Sequence, residues 1–120
     1  MSGKRRILIV DDEVQIRNLV RSVLERAGYE VTAARNGCEA IELLAVSDYD
    51  VVLLDVMMPK VDGLEVVDEL RKSASPILAH TYLLTAGDTN HLEDLPVRGV
   101  ISKPFDISVL VAETKDCIGH

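Results

Sequence analysis

Residues 51–63 read VVLLDVMMPKVDG, four apolar residues that run straight into one carboxylate, Asp55, and then into Met-Met-Pro. A short apolar run with no polar alternation fits a strand buried on both faces, as the central strands of a parallel sheet are. The acid at its end then sits where the strand leaves the core.

The same grammar recurs on either side. Residues 7–10, ILIV, form a second apolar run that stops at Asp11-Asp12-Glu13, and further strands read at 29–34, 82–84 and 97–102. Between them the period changes. Ile16, Leu19, Val20, Val23, Leu24 and Ala27 fall at i, i+3, i+4, i+7, i+8 and i+11, one face of a helix over 14–27 that Gly28 closes. Asn36-Gly37 turns into a second helix through residue 45 with Ala40, Ile41 and Leu44 inward. Val66, Val67 and Leu70 mark a third over 63–71, and Ile107, Leu110, Val111, Thr114 and Ile118 share the inward face of a last one over 107–118. Strand then helix, repeated five times, implies right-handed crossovers and a parallel sheet covered on both sides, an α/β fold.

The bulk numbers suit one domain over residues 1–120. The chain is 48% hydrophobic and 3% aromatic, and 13 Lys and Arg stand against 20 Asp and Glu for a formal charge of −7. An average surface of that sign repels a nucleic-acid backbone, so no direct nucleic-acid contact is expected. The basic start, MSGKRR, leads into an apolar run too short for a signal peptide, and no run approaches a membrane span. The expected location is cytoplasmic, without a membrane partner. Cys38 and Cys117 form no CxxC pair and read as buried thiols in helical surroundings. His80, His91 and His120 share no ligand spacing and read as surface residues.

In a doubly wound sheet, ligands bind outside the carboxyl ends of the strands. The polar residues that follow the strands there are Asp11 and Asp12, Asp55, Thr85 and Lys103. Three clustered carboxylates repel one another unless a cation intervenes, and an all-oxygen donor set of this size suits Mg²⁺. Lys103 and Thr85 add a charge and a hydroxyl where phosphoryl oxygens would lie. Asp55 is then placed to act as a nucleophile that forms an acyl phosphate. Each element also has a plainer reading: Asp11-Asp12-Glu13 suits a helix start, Met57 and Met58 suit packing, and a lysine before Pro104 is an ordinary loop residue.

Taken together, ILIVDDE, VVLLDVMMPKVDG, LLTAG and SKPF, in that order over essentially the whole chain, resemble a response-regulator receiver domain of two-component signalling. The resemblance implies a (βα)5 doubly wound five-stranded parallel sheet in the flavodoxin-like order 2-1-3-4-5. It implies that Asp55 is the phosphoacceptor, that Asp12, Asp55 and the Met57 carbonyl hold Mg²⁺ with Asp11 behind them, and that Thr85, Ala86 and Lys103 grip the phosphate. A cis peptide before Pro104 would aim the lysine inward. The implied phosphodonor is a histidine kinase or phosphotransfer protein, met through the first helix with Gln15, Arg17 and Asn18 as its polar positions. A phosphorylation-dependent homodimer or an output domain would receive the signal, whether the chain is free-standing or part of a longer regulator. The domain would assist its own phosphorylation and dephosphorylation without being an enzyme in the ordinary sense.

Other readings compete. A degenerate receiver that serves as a constitutive docking module is disfavoured by the full set of acids, hydroxyl and lysine. A haloacid-dehalogenase-type phosphatase requires a second aspartate where Met57 stands. Thr81 competes with Thr85 for the switch hydroxyl, but 30 positions from Asp55 accommodate a helix, loop and strand better than 26, and LLTA is the family-like string. That register leaves 18 positions between Thr85 and Lys103, including Gly87, Asn90 and Pro96, so the fourth helix is expected to be shortened to two turns at most, around 91–95. Val100 also stands where relatives commonly carry a switch aromatic, so the signal is expected to travel as a loop shift or order change after Thr85.

Overall fold

Secondary structure in the computed structural model alternates as expected; it describes residues 4–58, 61–87, 89–92 and 94–119, the His91 side chain excepted. The elements are β1 (Arg6–Val10), α1 (Val14–Arg26), β2 (Glu30–Ala34), α2 (Gly37–Val46), β3 (Val51–Asp55), α3 (Gly63–Lys72), β4 (Thr81–Thr85), β5 (Gly99–Ser102) and α4 (Ile107–Ile118). The five strands are parallel, in the order β2-β1-β3-β4-β5. The readings of His91 and His120 as surface residues, and Pro59 and Lys60 of the quoted stretch, lie outside what is described.

Alternation along the strands divides the core in two. Leu8, Val10, Val52, Leu54 and Leu83 pack with Ala40 of α2 and with Val66, Val67 and Leu70 of α3. Ile7, Ile9, Val51, Leu53, Tyr82, Leu84 and Ile101 pack with Val20 and Leu24 of α1 and Leu110 and Cys117 of α4 on the other face. Every residue of β3 and β4 is buried, which is why the deciding stretch shows no polar alternation.

Helix ends follow local chemistry. Asn36 caps α2 by accepting from Glu39 N–H, and Asp62 and Glu65 form a reciprocal capping box on α3. Gly28, at φ +100°, ends α1 in a Schellman motif: its N–H donates to the Glu25 carbonyl and that of Tyr29 to the Leu24 carbonyl. The same pair of bonds closes α3, from Ala74 to Arg71 and from Ser75 to Leu70, but there the left-handed residue is Ala74 at φ 53°.

Several expectations are corrected. Leu19, assigned to the inward face of α1, is 52% exposed, and Ala27 is exposed too; the buried stripe is the narrower Val20 and Leu24. Cys38 is exposed near the start of α2, while Cys117 is buried as expected. The short fourth helix is reduced further, to a single 3₁₀ turn at Asn90–Leu92. Its bonds run from Leu92 N–H to the Thr89 carbonyl and from Leu95 N–H to the Leu92 carbonyl, the i to i−3 pattern, just ahead of Pro96. A second 3₁₀ segment, Pro76–His80, precedes β4 and was not anticipated.

Candidate functional site

β1, β3, β4 and β5 all deliver polar groups to the carboxyl edge. Asp11 continues the β1 ladder by donating its N–H to the Ala34 carbonyl, so it is fully buried, and its Oδ1 accepts from Glu13 N–H at 2.9 Å. Asp55 ends β3 opposite Leu84 and is 3% exposed; its Oδ1 accepts from Met57 N–H at 3.2 Å. Asp12 is exposed at the rim. The three acids can bring one carboxylate oxygen each to within 4.8 Å of one another.

Lys103 reaches into this cluster. Its Nζ lies 2.8 Å from Asp11 Oδ2, 3.3 Å from Asp55 Oδ2 and 3.7 Å from Glu13 Oε1. Its N–H donates to the Thr85 carbonyl, which ties β5 to the end of β4, and the Lys103–Pro104 peptide is cis. Burial opposes the ammonium, but the hydrogen bond and charge of Asp11 and the charge of Asp55 outweigh it and leave the lysine pKa raised. Asp55 is raised as well: burial and the nearby Asp11 charge push it up to about 6, against the opposing pull of Lys103 and of Met57 N–H.

The donor set fits a hard divalent ion. Three carboxylates stand against one ammonium, all the candidate ligands are oxygen, and Asp12 faces solvent where an ion keeping its waters could enter. Met57 follows with its side chain 69% exposed, so the plainer reading of that side chain as packing fails, while Met58 is buried.

Thr85 is buried at the end of β4, beside Ser102 in register, and its Oγ1 accepts from Gly87 N–H at 3.0 Å. Ala86 follows, exposed. Thr81 lies at the opposite edge and donates its hydroxyl to the Ile77 carbonyl at 2.8 Å, so it is far along the strand from the acids. Val100 is half-buried on β5. A hollow of about 320 Å³, lined by Thr89, Leu92, Leu95, Val97 and Val100, lies beneath the reduced helical turn.

Two features were not read from the sequence. Gly63 presses against the Asp55 backbone: its N–H donates to the Val56 carbonyl, and a Cβ there would lie 2.4 Å from the Asp55 carbonyl oxygen. Arg17, taken as a polar position of an outward surface, is half-buried and donates to the Asp11 carbonyl at 2.7 Å; only its spacing, six positions past Asp11 on the first helix, hinted at this. His80 is exposed as expected, with its Nδ1 3.4 Å from Cys117 Sγ. Among the described residues no helix is long and apolar enough to cross a membrane.

Comparison with known proteins places this geometry. A family model described as the response regulator receiver domain matches residues 7–115. The transcriptional regulatory protein ResD of Bacillus subtilis is 47% identical over 119 residues, which cover 95% of this chain and 48% of ResD. The chain thus spans about half the length of the curated relatives it matches. Among solved structures, the response regulator TrrA of Thermotoga maritima, in complex with Mg²⁺-BeF, aligns with TM-score 0.81 and 38% identity over 94% of this chain and 98% of that one. The chemotaxis protein CheY4 of Vibrio cholerae aligns with TM-score 0.86 and 28% identity over 96% of this chain and 99% of that one.

Proposed function

We propose that this chain, which belongs to the response regulator receiver domain family of two-component systems, accepts a phosphoryl group on Asp55 from the phosphohistidine of a histidine kinase or phosphotransfer protein. One observation carries the reading: a lysine is inserted between a fully buried acid and the acid that ends the central strand. A buried ammonium flanked by carboxylates at a sheet edge suits a site that receives an anion alongside a cation.

Asp55 Oδ attacks phosphorus, the acyl O–P bond forms and the N–P bond to the donor histidine breaks, leaving its electron pair on the ring nitrogen. Mg²⁺, held by Asp12, Asp55 and the Met57 carbonyl with Asp11 behind them, would supply charge neutralisation on the transferred group. Its presence together with BeF in TrrA supports the assignment. Lys103 already lies within reach of an oxygen on Asp55, and the Thr85 hydroxyl, whose oxygen accepts from Gly87 N–H, keeps its proton to donate to a phosphoryl oxygen, a shift that would pull on the segment that follows. Ala86 N–H adds a donor beside it. With Val100 in place of an aromatic, the change of binding surface falls on residues 86–98, and the listener is an output domain or a second copy of the chain.

The test is direct. Purified protein mixed with Mg²⁺ and acetyl phosphate should gain the mass of one phosphoryl group, and Asp55→Asn should gain none. Labelling that persists in Asp55→Asn, or wild-type protein that stays unmodified while retaining its fold, rejects the assignment.

A further inference from the structure

We infer that Arg17 is a positioning residue for the divalent-cation site, acting on Asp12 through the backbone of Asp11; this rests on the reading of the acid cluster as a Mg²⁺ site. Every polar group of Asp11 is engaged. Its N–H donates to the Ala34 carbonyl at 3.1 Å, its Oδ1 accepts from Glu13 N–H at 2.9 Å and its Oδ2 from Lys103 at 2.8 Å. The remaining carbonyl oxygen accepts from the Arg17 guanidinium at 2.7 Å.

That last bond bears on Asp12. The peptide joining Asp11 to Asp12 is planar, so fixing its oxygen fixes the direction in which the Asp12 Cα leaves the strand. On the other side the Glu13 N–H is held by Asp11 Oδ1. The exposed carboxylate at the rim is therefore presented by backbone clamped before and after it. Glu13, the N-cap of α1, makes no side-chain capping bond, which leaves the turn to Asp11 and Arg17. A guanidinium bond to a carbonyl, half removed from water, is a charge-assisted contact of the stronger kind.

Position and charge predict opposite signs, which makes the idea testable. Deleting a cation beside an acidic site should, by Coulomb's law alone, tighten Mg²⁺ binding. Loss of positioning should weaken it, by about tenfold as for other groups that orient metal ligands. Calorimetric titration of Mg²⁺ into the full chain at neutral pH would compare wild type, Arg17→Met, Arg17→Lys and Arg21→Met; Arg21, on the same helix, pairs with Glu25 at 3.5 Å and controls for charge. The expected order is Arg21→Met equal to wild type or slightly tighter, as charge alone dictates, Arg17→Lys weaker than wild type by roughly threefold because a point charge replaces a planar fork, and Arg17→Met weakest. Arg17→Met at or below the wild-type Kd overturns the inference while leaving the site intact. A wild type that takes up no Mg²⁺ overturns the site itself. Should Arg17→Met not fold, Arg17→Lys decides, and equality with wild type there overturns the inference.

Discussion

Thr81 and Asp55 are both buried polar residues on neighbouring central strands, one at each edge of the sheet. At the amino edge the Thr81 hydroxyl finds a neutral acceptor in the Ile77 carbonyl, and Tyr82 OH nearby donates to the Glu113 carbonyl while accepting from Arg98. At the carboxyl edge Asp55 also has hydrogen bonds, and among the described residues no buried side-chain polar atom lacks a partner. The edges therefore differ in net charge rather than in satisfaction. Balanced pairing at one end holds the fold together; the excess negative charge at the other is a cost that a bound cation relieves.

Lys103→Met should break this contrast most severely. It strands the fully buried Asp11 beside Asp55, and denaturant unfolding at pH 7 in EDTA should show a loss of about 3 kcal/mol, much of it restored by millimolar Mg²⁺. Asp55→Asn should act in the opposite direction. With its folded pKa at about 6 against an ordinary 3.8, the native state binds more protons than the unfolded chain between those values. Stability from this group therefore falls as pH rises through that window, and the penalty is complete above it. The shift alone is worth about 3 kcal/mol, and loss of the charge-assisted bond from Lys103 offsets about 1 kcal/mol of it, so Asp55→Asn should be more stable than wild type by about 2 kcal/mol at pH 7 in EDTA, a gain that shrinks toward zero near pH 4 and is reduced by Mg²⁺.

Thr81→Val, at the amino edge, should cost about 1 kcal/mol by removing the hydroxyl's bond to the Ile77 carbonyl, with no dependence on pH or Mg²⁺. A metal-dependent result there would erase the distinction between the edges. The smallest effect is expected at Ala74→Gly, which relieves an alanine held at φ 53° and should raise stability by about 0.5 kcal/mol.

Much of this was legible because a parallel sheet sends every strand's exit to one edge. Once the runs at Ile7 and Val51 are read as buried strands, Asp11, Asp12, Asp55, Thr85 and Lys103 must converge whatever their separation in sequence. Side-chain reach was harder to see. Periodicity placed Leu19 on the inward stripe because it counts residues, whereas burial depends on how wide a face β2 and α4 cover. Arg17 looked like a surface cation because nothing in its neighbours reveals a guanidinium folded back on the strand it left. The left-handed turn at Gly28 announced itself through glycine, and its twin at Ala74 did not, since alanine carries no such signal. The fourth crossover showed its shortage of residues but not that its helix would shrink to one 3₁₀ turn at Asn90–Leu92.

The contact between Gly63 and the Asp55 backbone joins the end of β3 and the first turn of α3 into a single piece. A designer who wished to transplant this aspartate onto another parallel sheet would have to carry the glycine and its helix start along with it. Moved alone, the carboxylate would arrive on a loop free to turn away, and the borrowed chemistry would be lost in transit.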